Sequence, residues 1–219
     1  MDKKPKVVVI GGGSGISVVL RGLKYLPVDL TAIVTVADDG GSSGLLRKEF
    51  DVPAPGDIRN VMVALSDVEP LIEEVFQYRF KKDSFLGGHP LGNLLIIAMK
   101  ELTGDIRSAV DNLRKLFNIK GKILPATSEK VILMAEKENG KIIEGESNIP
   151  VTGEKIKRIF YKEPVEAPEE NLKALEEADL VIFGIGSLYT SIIPNLLLDG
   201  IKESLRKCKG KKIYICNAM

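Results

Sequence analysis

The chain has 219 residues, 44% of them hydrophobic, and its 31 Lys plus Arg nearly cancel its 30 Asp plus Glu, leaving a formal net charge of +1. That length suits one domain, or a large domain with an insertion, and the hydrophobic share suffices for a buried core. The charge balance excludes an electrostatic nucleic-acid binder, and the lack of a long Lys/Arg run excludes a polybasic membrane patch.

In chain order, Lys6-Val7-Val8-Val9-Ile10 is a short β-branched strand. Met1 to Pro5 leads into an apolar run too short for a signal peptide, so a cytoplasmic protein is expected. Gly11-Gly12-Gly13-Ser14-Gly15 follows, then Ile16, Val19, Leu20 and Leu23 at helical spacing, in a helix from about Gly15 to Tyr25. Strand, glycine turn and helix start form an anion site: the turn brings backbone close to a ligand, and the helix start offers unpaired N–H groups at the positive dipole end. The dinucleotide fingerprint is half met, because Gly11 and Gly13 fit while Ile16 stands where the third glycine belongs. A P-loop is excluded, since no Gly-Lys-Ser/Thr follows at its spacing. Alone, the cluster also reads as an ordinary strand-to-helix turn.

The next apolar run, Leu30 to Ala37, ends in Asp38-Asp39-Gly40-Gly41-Ser42-Ser43-Gly44. Carboxylates, glycines and hydroxyls at the end of a buried strand set metal or ribose ligands beside bare N–H groups, which suits phosphates or sugars. Asp38 and Asp39 are the candidate Mg²⁺ ligands; no other cofactor is indicated. Pro53-Ala54-Pro55-Gly56-Asp57-Ile58-Arg59-Asn60 joins stiff turns to an acid, a guanidinium and an amide, which either cap a helix or reach a phosphate and a base. Helices are expected around Asp57 to Ser66, Leu71 to Phe80, Leu91 to Leu102 and Ile106 to Phe117, with the wholly apolar Leu94 to Met99 in the core. Between them, Gly87-Gly88-His89-Pro90-Leu91-Gly92-Asn93 holds the one histidine, whose place is either structural or, with Asn93, ligand-facing.

From Lys130 to Asn148 the pattern changes, and Asn139-Gly140 between apolar runs signals a hairpin; a small β excursion is expected at about 121 to 162, Ile156 to Tyr161 included. Helix Glu169 to Glu177, strand Asp179 to Gly184, helix Pro194 to Cys208 and strand Lys212 to Cys216 complete the series. Leu180 to Leu198 carries no formal charge, but Gly184, Gly186, Ser187, Pro194 and Asn195 break it, so no membrane span is read. Cys208 and Cys216 read as small buried residues of a reducing compartment. The alternation predicts an α/β fold: one domain with a Rossmann-like parallel sheet, helices on both faces, a helical middle and a small hairpin excursion. Such sheets hold ligands beyond the carboxyl ends of their strands. Those ends carry Gly11 to Gly15, Asp38 to Gly44, Gly186-Ser187-Leu188-Tyr189-Thr190-Ser191 and Asn217-Ala218-Met219. The hydroxyls of Ser187, Tyr189, Thr190 and Ser191 suit phosphate or sugar oxygens, while Thr190 or Ser191 alternatively caps the following helix.

Thr35 to Gly44, Pro55 to Asn60, Gly88 to Asn93 and Gly186 to Asn195 together resemble the CofD-like superfamily, most closely its gluconeogenesis factor (YvcK-like) branch, relatives of 2-phospho-L-lactate transferase. The resemblance covers essentially the whole chain and implies a Rossmann-like fold, a cytoplasmic protein and a nucleotide-derived ligand. In the transferase branch it implies a magnesium-dependent enzyme that moves a phospholactyl group from a guanosine-activated donor to a deazaflavin. In the gluconeogenesis-factor branch it implies UDP-sugar binding and a role in cell shape and envelope-precursor supply on gluconeogenic carbon, without an agreed reaction. Pro90 after His89 resembles the second branch, because the transferases more often have Arg there. Relatives continue past Asn217-Ala218-Met219 into loops and helices that complete the ligand site, a part of the family fold absent from this sequence.

Three functions compete. A nucleotide-sugar sensor, the favoured one, would hold pyrophosphate on Gly11 to Gly15 and a ribose or metal on Asp38 or Asp39. A phosphoryl-type transferase would use the same groups to position a donor and Mg²⁺. An NAD enzyme would set Asp38 on the ribose 2′-OH, against the missing third glycine. The motif segments hold no Cys or Lys, and only His89 titrates near neutrality, so covalent catalysis lacks a nucleophile with a base beside it. The oligomeric state is open, a homo-oligomer included.

Overall fold

The computed structural model describes residues 3–67, 69–151 and 153–217. Its elements are β1 (Lys6–Gly11), α1 (Gly13–Leu23), β2 (Asp29–Val34), α2 (Gly41–Phe50), α3 (Gly56–Leu65), α4 (Glu69–Gln77), α5 (Leu91–Thr103), α6 (Ile106–Leu116), β3 (Lys122–Pro125), β4 (Leu133–Lys137), β5 (Ile142–Glu144), β6 (Ile156–Tyr161), α7 (Glu169–Glu176), β7 (Leu180–Phe183), α8 (Ile193–Leu196), α9 (Ile201–Lys207) and β8 (Lys211–Tyr214). Five strands pair in parallel in the order β3-β2-β1-β7-β8. The central strand β1 is buried on both faces, which is why Val7 to Ile10 reads as an unbroken apolar run and not an alternating one. Ile16 of α1 packs under the face that carries Val9 and Gly11, and Ala174 of α7 lies over the face that carries Val8, Thr31 and Leu124, so helices cover both faces.

The chain builds outward from β1 to β2 and β3, then crosses back to add β7 and β8 on the other side. Direction therefore reverses between β1 and β7, and in open α/β sheets the crevice beyond the carboxyl ends at that reversal is where ligands bind.

Four expectations need correction. The β excursion starts later than residue 121: Lys122–Pro125 extends the parallel sheet beside β2, and the separate antiparallel sheet, β5-β4-β6, begins at Leu133. Only nearness in sequence to the Asn139-Gly140 hairpin, where β4 and β5 do pair, groups β3 with it. A helix absent from the expected series, α2, grows directly from Gly41; Leu46 packs with Val52 and Ile97 to hold it. The single helix over Pro194 to Cys208 divides into α8 and α9, because Gly200 adopts φ +86°, where an added Cβ would meet Leu172 Cδ1 at 2.9 Å. Cys208 is buried, but Cys216 is exposed. Among the described residues no helix is long and apolar enough to cross a membrane.

Candidate functional site

At the reversal the two glycine turns interlock. An added Cβ on Gly15 would lie 2.0 Å from the Ile185 carbonyl oxygen, so only glycine lets the β1 and β7 turns close on each other; within the β7 turn, one on Gly186 would lie 3.0 Å from Ser191 Cβ. Gly13 has φ +65°, and the Ser191 hydroxyl is the nearest atom to the space a side chain there would take. Gly12 abuts Thr35 and Asp57 just as closely, with an added Cβ 2.2 Å from Thr35 Cγ2 and 2.7 Å from Asp57 Oδ2. Thr35 is 3% exposed, and its hydroxyl has no hydrogen-bond partner among the described residues.

Four helices, α1, α2, α3 and α5, start around this point, with Gly12, Gly40, Pro55 and Pro90 as their N-caps, none of which supplies a side-chain cap. Side chains tie the starts of α2, α3 and α5 together. Ser43 Oγ sits 2.6 Å from an added Cβ on Gly56, joining α2 to α3. Ser42 Oγ is 2.8 Å from His89 Nδ1 and accepts from Asn93 Nδ2 at 3.1 Å, joining α2 to α5. Arg59 donates to Asn93 Oδ1 at 2.8 Å and to Asn60 Oδ1 at 3.1 Å, which joins α3 to α5. Each helix start turns the positive end of a dipole to this point; Asp57 takes the Gly13 N–H, and the Leu91 and Asn93 N–H groups of α5 go to the Tyr78 and Pro90 carbonyls, so an anion is favoured by the remaining first-turn N–H groups and by the four dipoles. Arg59 and Asn93 are 7% and 1% exposed; their part is to fix the helix starts. Burial lowers the Arg59 pKa, as does the nearby Arg79, while Asp57 and Asp38 oppose them.

Carboxylates complete the site. Asp38 Oδ1 accepts the Gly40 N–H at 3.0 Å, and its Oδ2 lies 3.0 Å from an added Cβ on Gly56. Asp39 turns elsewhere: its two oxygens accept the backbone N–H groups of Glu146 at 3.0 Å and Ser147 at 2.8 Å, in the 3₁₀ turn Glu146–Asn148 that follows β5. Asp57 is partly buried under the glycine turn. Burial pushes its carboxyl up to about 7 against the Gly13 N–H, which favours the charged form, and the charges of Asp38 and Glu146 push it further up. Mg²⁺ is commonly held by one or two carboxylates with water and phosphate oxygens. Asp38 and Asp57 fit that description, whereas Asp39, with both oxygens engaged, does not. Among the described residues no three His, Cys, Asp or Glu are grouped to hold a metal by themselves.

Of the other residues singled out in the sequence, Ser14 is exposed at the start of α1, and Tyr189 is exposed beside the buried Thr190 in the π turn Leu188–Ile192. The cap of that turn is Ser187, whose hydroxyl accepts the Thr190 N–H at 3.3 Å, in place of Thr190 or Ser191. Asn217 is exposed beyond β8, two strands from β1, while Ala218 and Met219 lie outside the described residues.

Two residues come into the site without a sequence signal. Arg47 of α2 donates to the carbonyls of Ala37, Asp38 and Val131, pinning the end of β2, and burial lowers its pKa. Glu146, from the antiparallel sheet, faces the Thr190 hydroxyl; burial raises its pKa, Thr190 opposes this, and Asp38 and Asp39 add to the rise. Gly145, before Glu146-Ser147, has φ +97°, and an added Cβ there would lie 2.5 Å from Asp39 Oδ2, so glycine lets the backbone approach Asp39. Hollows of ≈ 390 and ≈ 850 Å³ lie at the other end of the sheet, around Lys6, Asp29 and Lys122 and around Lys3, Tyr25 and Lys120. They are remote from every motif, and lysines, carboxylates and apolar side chains line them.

Comparison with known proteins places the chain by family and fold. The family model described as 2-phospho-L-lactate transferase CofD matches residues 7–219. A Bacillus subtilis protein named gluconeogenesis factor is 56% identical over 220 residues, spanning 100% of this chain and 69% of the relative. A second gluconeogenesis factor, from Halalkalibacterium halodurans, is 55% identical over 99% of this chain and 68% of its own length. An X-ray crystal structure of a Bacillus halodurans protein superposes with a TM-score of 0.95 at 54% identity, covering 98% of this chain and 70% of that one. The chain therefore belongs to the CofD family, in its gluconeogenesis factor branch.

Proposed function

We propose that this protein binds a nucleoside-diphosphate sugar of the UDP-sugar type at the carboxyl end of the parallel sheet and acts as a cytoplasmic regulatory sensor. The convergence of four helix starts without side-chain caps on one glycine turn carries the reading, since a diphosphate satisfies several such N–H groups at once. Gly11 to Gly15 would take the pyrophosphate, Asp38 a ribose or a Mg²⁺ ion bridging the phosphates, and Ser191 and Thr190 oxygens further along. The relatives' name, gluconeogenesis factor, supports a link between carbon source and precursor supply for the envelope and cell shape.

Catalysis is the second reading, and the family model's description as a transferase favours it. Such chemistry needs positioning and charge neutralisation more than a protein nucleophile. Thermal melting with UDP-glucose, UDP, GDP and NAD, with and without Mg²⁺, tests binding, because a ligand selective for the folded state raises its stability by mass action. The sensor reading expects UDP-glucose to raise Tm most and to be recovered unchanged after long incubation with Mg²⁺. Turnover that Asp38→Asn abolishes would replace the sensor with the transferase.

A further inference from the structure

The antiparallel sheet packs beside the site and is fastened to it at two places. Asp39 holds the N–H groups of Glu146 and Ser147, and the Tyr161 hydroxyl of β6 donates to the Pro194 carbonyl at 3.1 Å, just past the Leu188–Ile192 turn. Two hydrogen bonds hold the turn between: Gly145 donates to the Leu133 carbonyl at 2.8 Å, and Asn148 Nδ2 to the Glu144 carbonyl at 2.9 Å. Fastened so, Glu146 directs its carboxylate to the Thr190 hydroxyl, near enough to Asp38 and Asp57 for their charges to act on one another.

A carboxylate here opposes the purpose of the helix starts, since it repels phosphate. It gains only from a ligand group that donates hydrogen bonds, and one hydroxyl, that of Thr190, already faces it. Ser191, one residue from Thr190, is the hydroxyl nearest Gly13 in the phosphate turn, so a ligand with its diphosphate on that turn would carry its next group towards Glu146.

We propose that Glu146 is a specificity-determining residue that accepts hydrogen bonds from the hydroxyls of the ligand's sugar, and that Asp39 is the positioning residue that sets it there. The antiparallel sheet thereby distinguishes a nucleotide sugar from the bare nucleotide. This rests on the nucleotide-sugar reading above.

Calorimetric titration of the wild type, Glu146→Gln and Asp39→Asn with UDP-glucose and with UDP, each with Mg²⁺ and with EDTA, tests it. Wild type should prefer UDP-glucose to UDP. Glu146→Gln should weaken UDP-glucose about tenfold, as befits a hydrogen bond to a charged acceptor, and leave UDP within about twofold. Asp39→Asn should reduce the preference in the same sense, a change in selectivity that mere loosening of the fold would not produce. Equal weakening of both ligands, an unchanged preference in Glu146→Gln, or an effect seen only with Mg²⁺ overturns the proposal. Wild type that binds neither ligand overturns the nucleotide-sugar reading itself, and this proposal with it.

Discussion

The two ends of the parallel sheet solve the placing of polar groups in opposite ways. At the carboxyl end, Asn93, Arg59 and Arg47 are buried and hydrogen-bonded to one another or to carbonyls, and glycines bring backbone into contact with backbone. At the amino end, Lys6 pairs with Glu177 at 2.5 Å, Lys120 pairs with Asp67 at 2.7 Å, and Arg107 pairs with Glu170, all with partly exposed side chains. A buried polar group that loses its partner bears the whole cost of desolvation, whereas an exposed ion pair returns to water at little cost. The carboxyl end is thus intolerant of change and the amino end permissive, which is what a binding site on one end of a scaffold requires.

The sharpest way to break that contrast is to compare two glycines of one helix. Gly15 of α1 meets the Ile185 backbone, whereas Gly22, two turns on, has nothing within 4 Å of an added Cβ. Gly15→Ala should cost about 3 kcal/mol or more, a fall in Tm of roughly 10 °C for a chain this size, because backbone must move apart. Gly22→Ala should instead raise stability by roughly 0.5–1 kcal/mol, through helix propensity. Thermal melting of both decides; equal effects would remove the claim that the β1 and β7 turns interlock.

Much of this was legible in the sequence, for reasons that also explain what was not. A strand buried on both faces must be apolar throughout, so Val7 to Ile10 and Val181 to Ile182 announce themselves, and their glycine turns follow. α2 was hidden because Gly41-Ser42-Ser43-Gly44 is a poor helix start, and the helix is held by tertiary contacts: Leu46 in a small cluster and Arg47 on distant carbonyls. Lys122–Pro125 is four residues long, too short for its period to show which sheet it joins. The break at Asp199-Gly200 carried a readable turn signal, masked by the helical spacing of Leu197, Ile201 and Leu205. Glu146 was beyond reach, because its tie to Asp39 spans 107 residues and no local pattern encodes such a contact.

A smaller effect separates the ends by pH. The folded-state pKa of Asp57, about 7, stands above the ordinary carboxyl value of 3.8, so the folded protein keeps a proton that the unfolded chain has released. Stability should therefore fall as pH rises from about 4 through about 7 and level off above, the direction opposite to that of a salt-bridged carboxylate. Asp57→Asn leaves an acceptor for Gly13 and removes the charge. It should flatten this slope and stabilise the apo protein at pH 8 by on the order of 2 kcal/mol, less than the full shift would give, because Asp57 keeps some exposure. Urea denaturation from pH 5 to 8.5 measures it; parallel curves for variant and wild type would remove Asp57 as the source.

The smallest effect belongs to the amino end. Lys6 and Glu177 form a short ion pair, and the hydrogen bond from Lys6 is the largest cause holding the Glu177 carboxyl below its usual range, yet both groups face solvent. The attraction is opposed by the entropy of two long side chains and screened by salt. Because the Glu177 pKa is depressed, what the pair contributes is present above the unfolded carboxylate pKa and lost as pH falls through the folded one. Glu177→Gln should thus shift Tm at pH 7 by no more than about 2 °C, and in 0.5 M salt by less still. Ligand affinity should not change, since the pair lies at the opposite end of β1 from Gly11. A loss on the scale expected of Gly15→Ala, or one that salt leaves untouched, would mean that the amino end is as tightly determined as the carboxyl end, and the division of labour between them would fail.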